Sequence, residues 1–409
     1  MAGEVITYGL LFISLYFEVF LLVAFLEWRL ARRARGATSP LCALRHEPLV
    51  TIVVPCFNEE RTLKGTLESL LTLDYPKDKL DIIVVDDGST DSTHDIACSL
   101  GAPVRIFRQK NGGKHTAMNH ALKHSTAELI GCLDADSVVA PDGLRSIVPL
   151  FKDPRIAAVT PGIHVRNPRT ILQHMQHVEY RLSLFSRFML AALGSAFITP
   201  GPFSVFRASV VRELGGWRHG HSTEDMEMAL RIQQAGHLIG NAPKAVVHTG
   251  TPAHLRGLFR QRVRWTYGWL RNAFDYRSMI GNKRYGNLSI IILPSALISV
   301  ATAIYFFAIV LWNTAQSASH EITRFLVTGM LPHPSFDLFY FNTSALWFLV
   351  CFSVALVLVL ISAGSLIGTS SRRLPIGTPL FVLFYCFLAP LWLSVAAFRA
   401  TFRTGVRWK

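Results

Sequence analysis

The sequence is short of acid, of paired cysteines and of the glycine signatures that cradle nucleotides. Against 41 Lys and Arg it sets 27 Asp and Glu, leaving a formal net charge of +14 over 409 residues. Charged residues make up only 17% of the chain, while half of it is apolar. That balance excludes a disordered, highly charged chain and requires a large buried or lipid-facing surface. The six cysteines, at positions 42, 56, 98, 132, 351 and 386, show no C-x-x-C spacing and mostly sit in apolar runs. They read as packed, reduced thiols rather than disulfides or zinc ligands. No G-x-G-x-x-G follows the first strand-like run and no G-x-x-x-x-G-K-S/T occurs, so a dinucleotide fingerprint and a P-loop are both unsupported. The basic residues form no stripe on a recognisable reading module, so nucleic acid is not the expected partner. Many of them flank apolar segments, which points to membrane lipids instead.

What the sequence does have is long apolar runs. Residues 6–26 carry one acid, Glu18, and are about as long as a bilayer core requires. Arg29, Arg32, Arg33 and Arg35 follow at once, the flank expected on the cytoplasmic side. In a cleaved signal peptide the charges would precede the apolar core. Three more candidate spans cover 288–312, 343–364 and 377–398, with Ser371-Arg372-Arg373 between the last two. The organisation expected is a transmembrane helix over 1–28, a basic linker over 29–47, a cytosolic domain over 48–250, amphipathic interface helices over 251–285 and a transmembrane region over 286–409. Four spans would send Arg399, Arg403, Arg407 and Lys409 to the far side, against the positive-inside rule. Either that tail lies in the interface, or the last apolar stretch is re-entrant, or one span is miscounted.

Within the middle region, Leu49–Pro55, Leu80–Val85, Val104–Phe107 and the run from Ile130 that ends in Asp134 and Asp136 alternate with helix-like stretches, the pattern of a mostly parallel α/β sheet. In such sheets the ligand sits beyond the carboxyl ends of the strands. Asn58, Glu59, Asp86, Asp87, Asp134 and Asp136 all fall there. Side chains two apart on a strand point the same way, so Asp134 and Asp136 are expected to aim into one crevice. An oxygen-only pair suits Mg²⁺ or Mn²⁺, which would in turn hold a diphosphate; the plainer reading is a surface turn.

Farther along, Thr170–Leu193 reads as a long helix able to lie along a membrane, and Ala196–Arg207 as a strand or hairpin with a structural Pro-Gly-Pro turn. Ser222-Thr223-Glu224-Asp225 precedes a periodic helix and is also an ordinary helix start. His254–Tyr276 is a basic amphipathic helix of the membrane-surface kind. Inside it, Gln261-Arg262-Val263-Arg264-Trp265 combines guanidinium groups suited to diphosphate with an aromatic plane suited to a sugar face.

Taken in order, Pro55–Glu59, Asp86-Asp87-Gly88-Ser89, Asp134-Ala135-Asp136, Thr223-Glu224-Asp225 and Gln261–Trp265 resemble the motifs of the processive, membrane-integrated members of glycosyltransferase family 2. These are the relatives of hyaluronan, chitin, cellulose and poly-N-acetylglucosamine synthases. The resemblance covers roughly residues 48–275 by motif and implies a GT-A-type domain flanked by one N-terminal and about three C-terminal transmembrane helices. It implies a UDP-sugar donor seated by Pro55, Asn58, Glu59, Asp86, Lys114, Asp134, Gln261, Arg262 and Arg264. Asp136 would be the Mg²⁺ or Mn²⁺ ligand, Asp225 the general base with Glu224 beside it, and Thr223 and Trp265 would face the acceptor. That acceptor would be a polysaccharide or a lipid-linked glycan at the cytosolic membrane face.

The sequence has no F-x-V-T-x-K-G loop, so cellulose is not favoured, and its few spans leave room for an oligomer or accessory subunit. Two rival readings keep the same features: single-sugar transfer to a lipid acceptor, and a membrane transporter or nucleotide sensor without catalysis. The lack of intramembrane charge pairs beyond Glu18 argues against an ion-coupled transporter.

Overall fold

A computed structural model describes residues 2–34, 47–101, 103–330, 343–369 and 373–403. Arg35, Cys42, Ser371, Arg372, Arg407 and Lys409 lie outside the described residues.

The strands are β1 (Val50–Cys56), β2 (Leu80–Asp86), β3 (Val104–Arg108), β4 (Leu129–Cys132), β5 (Ser137–Val139), β6 (Ile156–Val165), β7 (Ser204–Arg207) and β8 (Leu238–Thr249). They form one eight-stranded sheet in the order β3-β2-β1-β4-β7-β6-β8-β5. Pairs β1–β2, β1–β4, β2–β3 and β6–β8 are parallel, whereas β7 runs antiparallel to β4 and β6, and β5 antiparallel to β8. The sheet is therefore mixed, as expected of a mostly parallel sheet. The β-branched runs Val50–Val54 and Ile82–Val85 pair centrally and are almost wholly buried, which is why they carry no polar face. Glycine at position 131 is required by packing: a side chain there would meet Ile52 Cδ1 at 2.7 Å and Val205 Cγ2 at 3.2 Å.

The helices are α1 (Ala2–Ala34), α2 (Leu63–Leu71), α3 (Thr93–Ser99), α4 (Lys114–His124), α5 (Gly143–Ile147), α6 (Ile171–Ala192), α7 (Ala208–Glu213), α8 (Glu224–Gln234), α9 (Leu255–Asp275), α10 (Leu293–Thr328), α11 (Ala345–Thr369), α12 (Thr378–Leu380) and α13 (Cys386–Phe402). One apolar core, with Leu63, Leu67 and Leu70 of α2, covers one face of the sheet; another, with Met118, Ala121 and Met228, covers the other. The segment expected as a strand or hairpin over 196–207 supplies the single short strand β7, because Pro200, Gly201 and Pro202 keep the preceding residues out of the ladder.

Among the described residues, four helices are long and apolar enough to cross a membrane: Gly3–Ala31, Leu288–Thr328, Ala345–Gly368 and Thr378–Phe402. The second outruns its apolar stretch because nothing breaks the helix before Gly329, which caps it in the left-handed conformation at φ 65°. Helix α6 begins with a capping box between Thr170 and Gln173 and lies between the sheet and the apolar helices. Its Phe185 and Met189 pack with Leu21 and Phe25 of α1 and with Leu360 and Ala363 of α11. Gly364 and Gly368 let α11 approach α6 closely: side chains at these two positions would run into the Arg181 carbonyl and Leu184, respectively. Helix α13 lies along α9, with Tyr385, Trp392 and Ala396 against Leu258, Val263 and Tyr267.

Gly364→Leu is expected to push α11 off α6 and destabilise the fold by about 1–3 kcal/mol, the usual cost of overpacking. A thermal melt in detergent checks this, with Gly9→Leu, at a position facing open space, expected to melt as the wild type.

Candidate active site

Because β2, β1 and β4 are adjacent and parallel, their carboxyl ends bring three polar loops to one edge of the sheet. The loops after β1 and β2 are laced together. Asn58, in the left-handed region at φ 56°, accepts from the Thr90 N–H through Oδ1 at 2.9 Å and donates its own N–H to Ser89 Oγ at 3.0 Å. The Glu59 N–H donates to Thr93 Oγ1 at 2.7 Å, and Pro55 is the last residue but one of β1, just before them. Asp86 is fully buried, with Oδ1 accepting from the Ser89 N–H at 2.9 Å and Oδ2 3.1 Å from Arg108 Nε. In this arrangement Asp86 organises its own loop rather than presenting a free carboxylate. Asp87 accepts from the Gly112 and Gly113 N–H groups at 3.0 and 2.7 Å and so fixes the turn that starts α4. Gly113 adopts φ 90°, a conformation that places Lys114 at the first turn of that helix.

The third loop departs from the expected geometry. Strand β4 stops at Cys132, and Asp134–Ser137 forms a turn closed by the Ser137 N–H donating to the Asp134 carbonyl at 3.0 Å. Strand alternation therefore does not apply, and the two aspartates take different partners. Asp134 forms an ion pair with Lys114, which also lies 3.6 Å from Glu224. Burial opposes the ammonium charge, but Asp134 and Glu224 hold its pKa well above the usual lysine value. Asp136 accepts from Ser137 Oγ at 2.9 Å. Burial, and then the Asp134 charge, push its pKa up to about 6.

The wall facing this turn comes from the segment before β7 and from the start of α8. Gly201 is held against Lys114 and Asp134 so closely that any side chain there would displace them. The Pro-Gly-Pro turn is thus part of the pocket wall. Thr199 Oγ1 donates to the Asp225 carbonyl at 2.6 Å, and Asp225 Oδ1 accepts from the Met226 N–H at 2.9 Å. Lys114, Thr199, Gly201, Trp217, Glu224 and Asp225 line one small pocket. Burial, and then the Glu224 charge, raise the Asp225 carboxyl to about 6, with Lys114 and Arg264 pulling the other way.

Helix α9 sets the loop that carries Glu224 and Asp225. That loop is strained, with His221 and Ser222 both left-handed at φ 53° and 67°. It is held by Arg264 Nη1 donating to the Ser222 carbonyl at 2.9 Å and by Asn272 Nδ2 donating to Thr223 Oγ1 at 2.9 Å and to the Gly220 carbonyl at 3.0 Å. His221 Nε2 stands 2.7 Å from Asp275 Oδ2 at the end of the same helix. Gly268 admits Thr223; a side chain there would clash with it. Thr223 is consequently buried, 3% exposed, as a strut between α9 and α8 rather than an open contact. Arg262 is turned elsewhere: Nη2 donates to Glu179 Oε2 at 2.7 Å, and its guanidinium lies 4.4 Å from the Trp265 ring centroid.

Thus Lys114, Asp134, Glu224 and Asp225 come together, with Asp136 and Arg264 close enough to act on them electrostatically. Asp86 and Arg262 sit behind the cleft with partners of their own. Gly201, Gly268 and Asn272 carried no motif signal, because their roles depend on which backbone lies opposite.

The residues fit a hard divalent cation. Asp136 is a half-buried oxygen donor whose pKa is pushed up to about 6, as expected where a cation is to replace the proton. Among the described residues no group of three His, Cys, Asp or Glu side chains is arranged to hold a metal ion by itself, so further ligands would have to come from diphosphate and water.

Comparison with known proteins agrees with this geometry. The family described as "Glycosyltransferase like family 2" matches residues 47–268. A poly-beta-1,6-N-acetyl-D-glucosamine synthase of Staphylococcus aureus (strain COL) is 30% identical over 285 residues, covering 68% of each chain. The Staphylococcus epidermidis synthase of the same name is 28% identical over 360 residues, covering 85% of this chain and 84% of the relative. A mannosyltransferase from Pyrobaculum calidifontis, solved with GDP-Man and Mn²⁺, shares the fold with a TM-score of 0.58 at 21% identity, covering 97% of this chain and 99% of that one. With its mixed sheet, its acidic loops at one sheet edge and four apolar helices of membrane-spanning length, the chain belongs to the glycosyltransferase family 2 group of membrane glycosyltransferases.

Proposed function

We propose that the chain is an inverting β-glycosyltransferase that moves N-acetylglucosamine from its UDP donor onto a growing polysaccharide at the cytosolic face of the membrane. The observation that carries this is the meeting of Asp134, Glu224 and Asp225 around Lys114, on a chain whose relatives are named poly-β-1,6-N-acetyl-D-glucosamine synthases.

The donor's nucleoside lies against the Pro55–Glu59 loop, supported from behind by Asp86. Lys114 and Asp134 orient the sugar, and Gln261 and Arg264 close on the diphosphate. Asp136 holds Mg²⁺ or Mn²⁺, which when bound neutralises charge on the diphosphate. Trp265 offers its ring to the acceptor sugar. Asp225 accepts the proton of the acceptor hydroxyl as that oxygen attacks the anomeric carbon. The bond from that carbon to the diphosphate oxygen breaks, UDP leaves with the electron pair, and configuration inverts. Glu224 and Lys114 set the basicity of Asp225 from opposite sides.

UDP release by the purified protein tests this reading across several sugar nucleotides with Mn²⁺. Asp225→Asn is expected to lose about 10²–10⁴-fold in turnover, the share of a general base, while retaining UDP binding measured by calorimetry. Near-normal turnover would overturn the assignment. The pH profile has a definite sign: with the carboxyl raised to about 6, the base is ionised only above that pH. At saturating metal, kcat/KM should therefore fall about tenfold per unit below about pH 6 and level off above it. Chelation with EDTA should abolish release and Mn²⁺ should restore it, whereas Asp136→Asn should raise the Mn²⁺ concentration needed for half-maximal rate about tenfold or more.

A further inference from the structure

Beside the pocket lies a buried polar contact that joins three helices and that the reaction above does not use. Arg262, only 6% exposed, donates through Nη2 to Glu179 Oε2 at 2.7 Å. The same carboxylate oxygen accepts from the Tyr385 hydroxyl at 2.5 Å. Glu179 is on α6 and Arg262 on α9. Tyr385 ends a π-helical turn, Phe381–Tyr385, at the foot of α13. A π-turn shifts side chains round the helix relative to a regular turn, and such turns recur at functional sites. Here it accompanies the reach of Tyr385 to Glu179. The back of the Arg262 guanidinium lies over Trp265, 4.4 Å from the ring centroid. Arg264, two residues on, grips the Ser222 carbonyl of the loop that leads to Asp225.

An apolar contact would hold three helices together at least as well, since a buried ion pair has a desolvation cost that its attraction barely offsets. What a charged contact shared by one carboxylate oxygen, a guanidinium and a hydroxyl adds is directionality, which fixes the rotation of α9 about its axis. That rotation sets two things at once: the plane of Trp265, through the stacked guanidinium, and the height of the Asp225 loop, through Arg264. We infer that Glu179 and Tyr385 are positioning residues for glycosyl transfer, acting through Arg262 on Trp265 and the Asp225 loop, and that Arg262 is not a donor ligand. This rests on the transfer reaction proposed above and extends the site to α6 and to the last apolar helix.

Four purified proteins decide it: the wild type, Glu179→Gln, Tyr385→Phe and the apolar pair Glu179→Leu with Arg262→Met. UDP release with UDP-N-acetylglucosamine and Mn²⁺, UDP affinity by calorimetry and thermal midpoint in detergent are measured on each. Glu179→Gln should lose about tenfold or more in kcat, as misplaced reacting groups do, with UDP affinity within about threefold of wild type. Tyr385→Phe, which removes one hydroxyl, should lose about threefold in kcat with an unchanged midpoint. The apolar pair should recover the midpoint but not the turnover.

Three results would overturn the inference: kcat in Tyr385→Phe and Glu179→Gln within twofold of wild type, UDP affinity falling in step with kcat, or the apolar pair restoring turnover. If Glu179→Gln does not fold, Tyr385→Phe and the apolar pair still decide. A wild type that releases no UDP from any donor would contradict the transfer reaction instead, whereas an active wild type with unaffected variants would contradict only the positioning role.

Discussion

The ammonium of Lys114 is the charge that permits the rest of the site. Asp134, from the β4–β5 turn, and Glu224 and Asp225, from the start of α8, are brought together around Lys114, and Asp136 follows Asp134 within the same turn. At an effective dielectric of about 20, two like charges about 4 Å apart repel by about 4 kcal/mol. Several such pairs together would force the turn and the helix start apart. Lys114 joins them, pairing with Asp134 and standing near Glu224, and it is held in place by the Gly112-Gly113 turn that Asp87 clamps. The repulsion left over is taken up as protons: Asp136 and Asp225 both stay protonated to about pH 6. A buried carboxyl with that property is suited either to exchange its proton for a cation or to receive one during reaction, and the two residues divide those tasks in the proposed mechanism.

The second dependence is on α9. The residues that precede Asp225 are held in left-handed conformations that only surrounding contacts sustain, and those contacts come from Arg264, Gly268, Asn272 and Asp275 on one helix. The opposite side of α9 rests on α13 through Leu258, Val263 and Tyr267. The geometry around Asp225 is therefore tied to helices of membrane-spanning length, which gives a physical reason for the membrane segments and the catalytic domain to share one chain.

Much of this was legible in the sequence, for reasons that can be named. The central strands announced themselves because strands buried on both faces must be continuously apolar, and their order along the chain predicted a parallel core with acids at one edge. The apolar helices were equally plain. The different surroundings of Asp134 and Asp136 were not, because the strand ends at Cys132 and a turn, not strand alternation, sets their directions; only the family resemblance gave the two residues different roles. Arg262 sits in an arginine-rich motif, but the carboxylate it pairs with, Glu179, lies 83 positions away and carries no motif. Gly201, Gly268 and Asn272 escaped notice for the same reason: a glycine or an amide becomes specific only once its facing backbone is known.

The central claim is that this site extends a chain of sugars, and product mass reports on it directly. Incubated with UDP-N-acetylglucosamine and Mn²⁺, the purified protein should yield a mass-spectrometric ladder whose steps are one N-acetylhexosamine residue. A single added sugar on a lipid acceptor, or no product from any sugar nucleotide, would contradict the account.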